Sequence, residues 1–294
     1  MASIESKNIH LAIIFALVGS FFNTLMSLAV KLIGSGQPTA TVVFARFFIG
    51  LLVIMPWALT DKNIFVVHNK IQLLFRCITT LLTIVCVFYS LKFLPMTNVL
   101  LLYNTLPLFM PILTLILFGI KTPSRLWFGI FLGFVGVAFV LQPSSNHFNW
   151  ASIIALISGL LAALATLQIR LLTETNTTKQ IVFYLFLLCT IISAFFVPFS
   201  FQMFDPYQLL LLVLVGVFGA GYQLFLSFAL ENAIARIVTP IYFSSIVFAA
   251  ILDWLFFNQI PNEMALIGMI LIILCGVLII LLSPSKMNPK AISS

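Results

Sequence analysis

Ten runs of apolar residues, each near the length of a membrane-spanning helix, are divided by short polar breaks along this chain. They cover roughly 10–33, 38–59, 71–91, 96–118, 125–142, 149–172, 180–200, 207–230, 234–257 and 263–283. A helix needs about 20 apolar residues to cross a bilayer. The breaks carry turn-forming residues: Gly34-Ser35-Gly36-Gln37-Pro38, Thr60-Asp61-Lys62-Asn63, Pro143-Ser144-Ser145-Asn146 and Asp205-Pro206. Membrane barrel strands would alternate polar and apolar positions. These runs are apolar all round, which predicts helices.

A shift of 139 residues lays the first half on the second, with Ala12-Ile13-Ile14-Phe15-Ala16-Leu17 over Ala151-Ser152-Ile153-Ile154-Ala155-Leu156. Lys31 then meets Arg170, Tyr103 meets Tyr242 and Gly129 meets Gly268. Each copy holds five spans, an odd number, so the second copy is predicted upside down relative to the first. Inverted repeats of this kind build secondary carriers around a midplane site. The predicted fold is therefore an all-α integral membrane protein with ten transmembrane helices in two inverted five-helix repeats. Residues 10–142 and 143–284 form the repeats, with tails at 1–9 and 285–294, and the whole acts as one functional unit. Small residues recur every fourth position in the first span (Ala12, Ala16, Ser20, Thr24) and in its mate (Ala151, Ala155, Gly159, Ala163), and Gly129 with Gly133 forms a GxxxG. Such spacing lets helix backbones approach closely in lipid.

Composition agrees with this reading. The chain is 62% hydrophobic and 7% charged, with a mean hydropathy of +1.22, too little charge to solvate a soluble globule of this length. The net charge of +7 comes from scattered Lys and Arg rather than a basic patch, so no nucleic-acid partner is expected. With the N-terminus inside, Lys7, Lys62, Lys70, Lys121, Arg125, Arg170, Lys179, Arg236, Lys286 and Lys290 fall at cytoplasmic ends, and only Lys31 and Lys92 at outer ends. The positive-inside rule thus predicts both termini in the cytoplasm. The first run is longer than a signal-peptide core and has no A-x-A site after it, so it reads as a retained span. Cys77, Cys86, Cys189 and Cys275 lie inside apolar runs without metal-type spacing. No HExxH, G-x-S-x-G or P-loop occurs, and His10, His68 and His147 lie at span ends or in loops. No catalytic residue, metal or cofactor is predicted.

The polar residues within spans carry the functional expectation. A charge at a helix centre costs about 2.5–3.5 kcal/mol on insertion scales. Arg46 lies too deep in the second span to reach the surface easily; Arg76 is about one turn from an end and has the option of snorkelling. Asp253, beside Trp254, reads either as an interfacial acid or as a cavity acid available for ion coupling. Tyr242, Ser245 and Asp253 share one stripe of the ninth span. Pro107, Pro111 and Pro240 interrupt the fourth and ninth spans, freeing the carbonyls of Tyr103, Pro107 and Arg236 for a site, a hinge or a static kink. Asn23, Asn98, Asn104, Gln168, Tyr222 and Gln223 add uncharged polar groups. The candidate substrate-binding set is Arg46, Arg76, Tyr103, Asn104, Gln223, Tyr242 and Ser245, with Asp253 as the coupling candidate. Tyr103 and Tyr242, as repeat mates, suggest one gate above the centre and one below, or simply two packing aromatics.

These features resemble the drug/metabolite transporter superfamily, specifically bacterial carriers with two EamA-type repeats, over residues 10–284. The resemblance rests on Phe88-Tyr89-Ser90-Leu91-Lys92-Phe93-Leu94-Pro95, Leu106-Pro107-Leu108-Phe109 and Gly133-Phe134-Val135-Gly136-Val137 in the first half. Phe228-Ala229-Leu230-Glu231-Asn232, Pro240-Ile241-Tyr242-Phe243-Ser244-Ser245 and Phe256-Phe257-Asn258-Gln259-Ile260-Pro261 answer in the second. Arg46 matches an arginine found on the second helix of such proteins. A glutamate that closes the fourth and ninth helices in the family is replaced here, at about Ile120 or Lys121 and at Gln259, which argues against a mechanism that needs it. The resemblance implies a central cavity lined by helices one, three, four, six, eight and nine. It implies export of amino acids and their metabolites, or import of compounds such as S-adenosylmethionine or riboflavin. The expectation is a secondary transporter for a small polar, amino-acid-like or nucleoside-like metabolite in the inner membrane, in contact with lipid, as monomer or homodimer. A membrane-embedded enzyme and a structural membrane protein without a cavity are the alternatives.

Overall fold

Helices are the only regular elements in the computed structural model, which describes residues 8–61, 63–119, 124–141, 149–173, 175–197, 205–233, 238 and 241–282. The first repeat holds α1 (Ile9–Ile33), α2 (Thr39–Ala58), α3 (Lys70–Leu91), α4 (Met96–Tyr103), α5 (Leu106–Phe118) and α6 (Ser124–Leu141). The second holds α7 (Trp150–Leu172), α8 (Thr178–Ala194), α9 (Pro206–Asn232), α10 (Ser244–Phe257) and α11 (Glu263–Leu282). Six spans in the described residues are both long and apolar enough to cross a membrane, and four shorter apolar helices complete the set. The turn around Pro143, and Lys62, Lys121, Arg236, Pro240, His147 and both tails lie outside the described residues.

Side-chain and cap contacts fix the helix directions. Lys31 near the end of α1, Asp253 near the end of α10 and Met96 at the start of α4 meet at one end of the bundle. Lys92, after α3, donates to the carbonyl of Gln37 just before α2, and Ser90 donates to that of Ala151 at the start of α7. At the opposite end, which carries Lys70, the residue before α1 (Asn8) bonds to Asn232 at the end of α9, and Thr177 before α8 donates to Asp61 after α2. So α1 and α3 run antiparallel to α7 and α9, their repeat mates, and α2 runs antiparallel to α8. The second repeat is inverted.

Packing follows the same symmetry. α1 lies along α9 as α3 lies along α7; α1 meets α10 as α7 meets α4 and α5; α2 against α8 and α6 against α11 pair each helix with its own mate. The small-residue stripes sit at these seams, with Ala12, Ala16, Ser20, Thr24, Ala155 and Ala163 fully buried. The α6–α11 crossing depends on absent side chains: a Cβ on Gly268 would stand 2.6 Å from the Gly136 carbonyl, and one on Gly136 2.9 Å from that of Gly268. The close approach therefore falls at Gly136, while Gly133 of the GxxxG faces Leu108 of α5.

Two spans differ from the continuous helices expected. The fourth is broken at Asn104–Thr105, between α4 and α5. Pro107 has no N–H for the Tyr103 carbonyl, and Asn104 and Thr105 turn their side chains back on the carbonyls of Leu100 and Leu102. The ninth span has a turn at Tyr242–Phe243 before α10. Tyr103 and Tyr242 are repeat mates, so the two breaks are equivalent. Each break packs on the partner stripe. Ser244 bonds Ser20 of α1 at 2.6 Å, and at the mated position a Cβ on Gly159 of α7 would stand 2.6 Å from Thr105 Oγ1 and from the Leu102 carbonyl. The seventh span also ends early, at Ala194 rather than near residue 200, ahead of Pro198, whose predecessor is disfavoured in a helix.

Candidate substrate site

Arg46 comes from the middle of α2 and is 4% exposed. Its side chain lies across Gly219 of α9, whose missing Cβ would stand 3.2 Å from Arg46 Cγ and Nε. The guanidinium carbon is 5.0 Å from the Phe47 ring and 5.8 Å from that of Phe88. Nε and Nη1 are buried without a hydrogen-bond partner among the described residues. Arg46 interacts electrostatically with Tyr222 and Tyr103. Tyr222, in turn, interacts with Tyr103 and Tyr242. The Tyr222 and Tyr242 rings meet edge to face with centroids 5.9 Å apart.

Three helix features converge here. Tyr103 is the last residue of α4 and Tyr242 lies in the turn before α10, so the two equivalent breaks deliver their tyrosines to one interior space. The Tyr242 hydroxyl lies against Gly19 of α1 and is buried without a partner among the described residues. All three tyrosine rings are half-buried although their neighbours are interior residues. A cation with two nitrogens unpartnered among the described residues, set beside phenolic side chains, can bind an anionic or polar group. An arginine fork suits a carboxylate or phosphate.

The other expected residues fall in different places. Asn104 donates to the Leu100 carbonyl at 2.7 Å and to Ser245 Oγ at 3.3 Å; Ser245 Oγ donates to the Tyr242 carbonyl at 2.7 Å. These two tie the breaks to each other, directly behind the tyrosines. Gln223 is half-buried, one residue beyond Tyr222 on α9. Arg76 does not reach a surface. It is 3% exposed, its Nη1 donates to the Ala165 carbonyl of α7 at 3.4 Å, and its Nε has no partner among the described residues. Nearby, Thr79 donates to Gln168 at 3.0 Å.

Asp253 is fully buried, while the adjacent Trp254 is 56% exposed. Its carboxylate accepts from the backbone N–H groups of Met96 at 3.1 Å and Thr97 at 2.7 Å, from Thr97 Oγ1 at 2.8 Å, and from Lys31 Nζ at 2.8 Å. It caps α4 and pairs with α1. Lys31 also donates to Gln259 at 2.7 Å and lies over the Phe257 ring. A cavity of 380 Å³ opens beside this cluster, lined by Pro95, Asn98, Asn149, Ser152 and Asp253 among others, and does not include Arg46 or the tyrosines. Sequence reasoning noted Tyr222 only as one polar residue among several and left it out of the site. Its position three residues after Gly219, on the face that receives Arg46, is the signal that tertiary structure adds.

Repeats that mirror each other through the membrane, with broken helices meeting at their common centre, are how secondary transporters are built. The EamA-like transporter family model matches residues 10–142 and again residues 149–282, and the chain belongs to that family. It is 27% identical over 269 residues to the pseudopaline exporter CntI of Pseudomonas aeruginosa, covering 89% of this chain and 93% of that one. It is 24% identical over 282 residues to the S-adenosylmethionine uptake transporter of Rickettsia prowazekii, covering 94% of each. A solved crystal structure resembles it with a TM-score of 0.64 at 16% identity, over 91% of this chain and 95% of the other, a likeness of fold alone. The protein is thus a multi-pass membrane transporter of the EamA family, and its substrate is a small molecule.

Proposed function

We propose that this transporter is a secondary carrier for a small polar metabolite, amino-acid-like or nucleoside-like, that presents an acid group to Arg46. The observation that carries this reading is the buried Arg46 guanidinium, with two nitrogens unpartnered among the described residues, facing Tyr103 and Tyr222. A buried charge without a partner is strongly unfavourable, so the site is completed by an anionic group from the substrate. Tyr103 and Tyr242 close the path on either side of the centre, and Asn104 and Ser245 couple their movements. Residues 10–142 and 143–284 rock against each other as one functional unit in the inner membrane, with both termini in the cytoplasm. The charge asymmetry of the loops supports that orientation.

The test is uptake and efflux of a labelled metabolite library in proteoliposomes containing the full chain. The expected result is saturable transport of an acid-bearing compound that Arg46→Leu abolishes in correctly folded protein. Transport confined to neutral or cationic compounds, or unchanged by Arg46→Leu, would refute the proposal.

A further inference from the structure

Arg76 is a second buried cation that the reading above does not use. Along the bundle axis, Arg46 lies seven residues from the start of α2 at the Asp253 end, and Arg76 six residues from the start of α3 at the opposite end. At about 1.5 Å per residue, α3 spans about 33 Å, with Arg46 about 10 Å below one end and Arg76 about 9 Å above the other. Cys189, eleven residues into α8 and so at an intermediate depth, neighbours both guanidinium groups. The two arginines thus face one stretch of interior, at successive depths.

Neither has a carboxylate partner among the described residues. The one fully buried acid there is Asp253, which is committed to Lys31 and the α4 cap at the far end. Arg76 keeps one weak bond, 3.4 Å to the Ala165 carbonyl, with Nε unpartnered. Arg46 keeps none from Nε or Nη1. Interhelical packing needs neither charge, and each costs insertion energy. Two uncompensated cations buried in the same bundle interior also repel each other. An anion that bridges them removes both penalties together, whereas a single acid group relieves only one.

We infer that Arg76 is a second anion subsite, and that the transported substrate carries two acid groups held apart by a spacer, one for each arginine. This rests on the reading of Arg46 as an anion site and narrows its substrate class to compounds with at least two carboxylate or phosphate groups.

The test uses the full chain in detergent micelles, with affinity read from ligand-induced thermal shifts. The probes are the α,ω-dicarboxylates from succinate to azelate and the monocarboxylates of matching length. In the wild type, one spacer length should bind about tenfold or more tighter than its monocarboxylate, the worth of one further charged hydrogen bond. Arg76→Gln should erase that preference, bringing dicarboxylate affinity down to that of the matching monocarboxylate; Arg76→Lys, which retains the charge, should preserve part of it. No length preference in the wild type, a measurement that needs no variant, overturns the inference. So does a preference that survives in Arg76→Gln. The Arg46 reading stands or falls separately, since Arg46→Gln must weaken dicarboxylates and monocarboxylates alike, and unchanged monocarboxylate binding there refutes the anion site itself.

Discussion

Replacing Asp253 by Asn should destabilise the protein by about 2–4 kcal/mol, without touching the tyrosine cluster. The wild-type carboxylate accepts four hydrogen bonds, one from Lys31, whose side chain is 9% exposed against 1% for Asp253. Removing one member of a buried ion pair costs about 3–5 kcal/mol, chiefly because the other charge is left behind. Here the cost is reduced, because Lys31 keeps Gln259 and the Phe257 ring as partners. Asn also retains one acceptor for the α4 cap. Against a total stability of about 5–15 kcal/mol, the effect is large. Equilibrium unfolding of the reconstituted protein would measure it, with Lys31→Met and the double variant completing a cycle. The double variant should be more stable than the sum of the single losses predicts, by about 1–3 kcal/mol. A single-variant loss below about 0.5 kcal/mol, the range of an ordinary surface change, or strict additivity would show that this pair does not hold the end together.

Other predictions are equally direct. Arg46→Lys should retain folding but reduce transport at least tenfold, because an ammonium loses the planar fork; equal rates in vesicle assays would contradict the site. Tyr242→Phe should bring little change in stability, since its hydroxyl is unpartnered among the described residues; any large transport defect then reports substrate contact or gating, while normal transport by both Tyr103→Phe and Tyr242→Phe together with the alanine variants dismisses the gates. Gly268→Ala places a methyl against the Gly136 carbonyl and should cost about 1–3 kcal/mol in the same unfolding assay. In the loop after α2, the Asn63 backbone N–H, then Thr177, holds the Asp61 carboxyl below its ordinary range. A lowered folded value means the contact is complete above the ordinary carboxylate range and is lost as pH falls through the folded value; Asp61→Asn should remove that acid dependence of loop proteolysis.

Much of the fold is legible because bilayer crossing and duplication both write periodic signals along the chain. The same shift that matched Ala12 to Ala151 also paired the two broken spans, since Tyr103 and Tyr242 occupy the turn or the last helical residue in each. Pro107 signalled the first break. The place of Arg76 was open because snorkelling and burial cost similar amounts for a side chain within two turns of a helix end, and only its neighbours on α7 decide between them. Asp253 was harder. Its partners lie on α1 and α4, more than 150 residues away in sequence, and nothing local distinguishes a capping acid from an interfacial one. Gln259, where the resemblance leads one to expect glutamate, acquires its meaning from the same cluster, as a neutral second acceptor for Lys31.

The two seams that clamp the broken helices are built from different material. Where α1 meets the ninth-span break, two serine hydroxyls bond at 2.6 Å; where α7 meets the fourth-span break, a glycine admits Thr105 with no such bond among the described residues. A buried hydrogen bond contributes about 1 kcal/mol net, and that difference corresponds to roughly a fivefold bias in an equilibrium. A carrier with identical seams would divide its time evenly between its two facings. On the proposed alternating-access reading, the α1 seam is the more tightly held of the two, and Ser20→Ala should shift the balance of facings toward its opening.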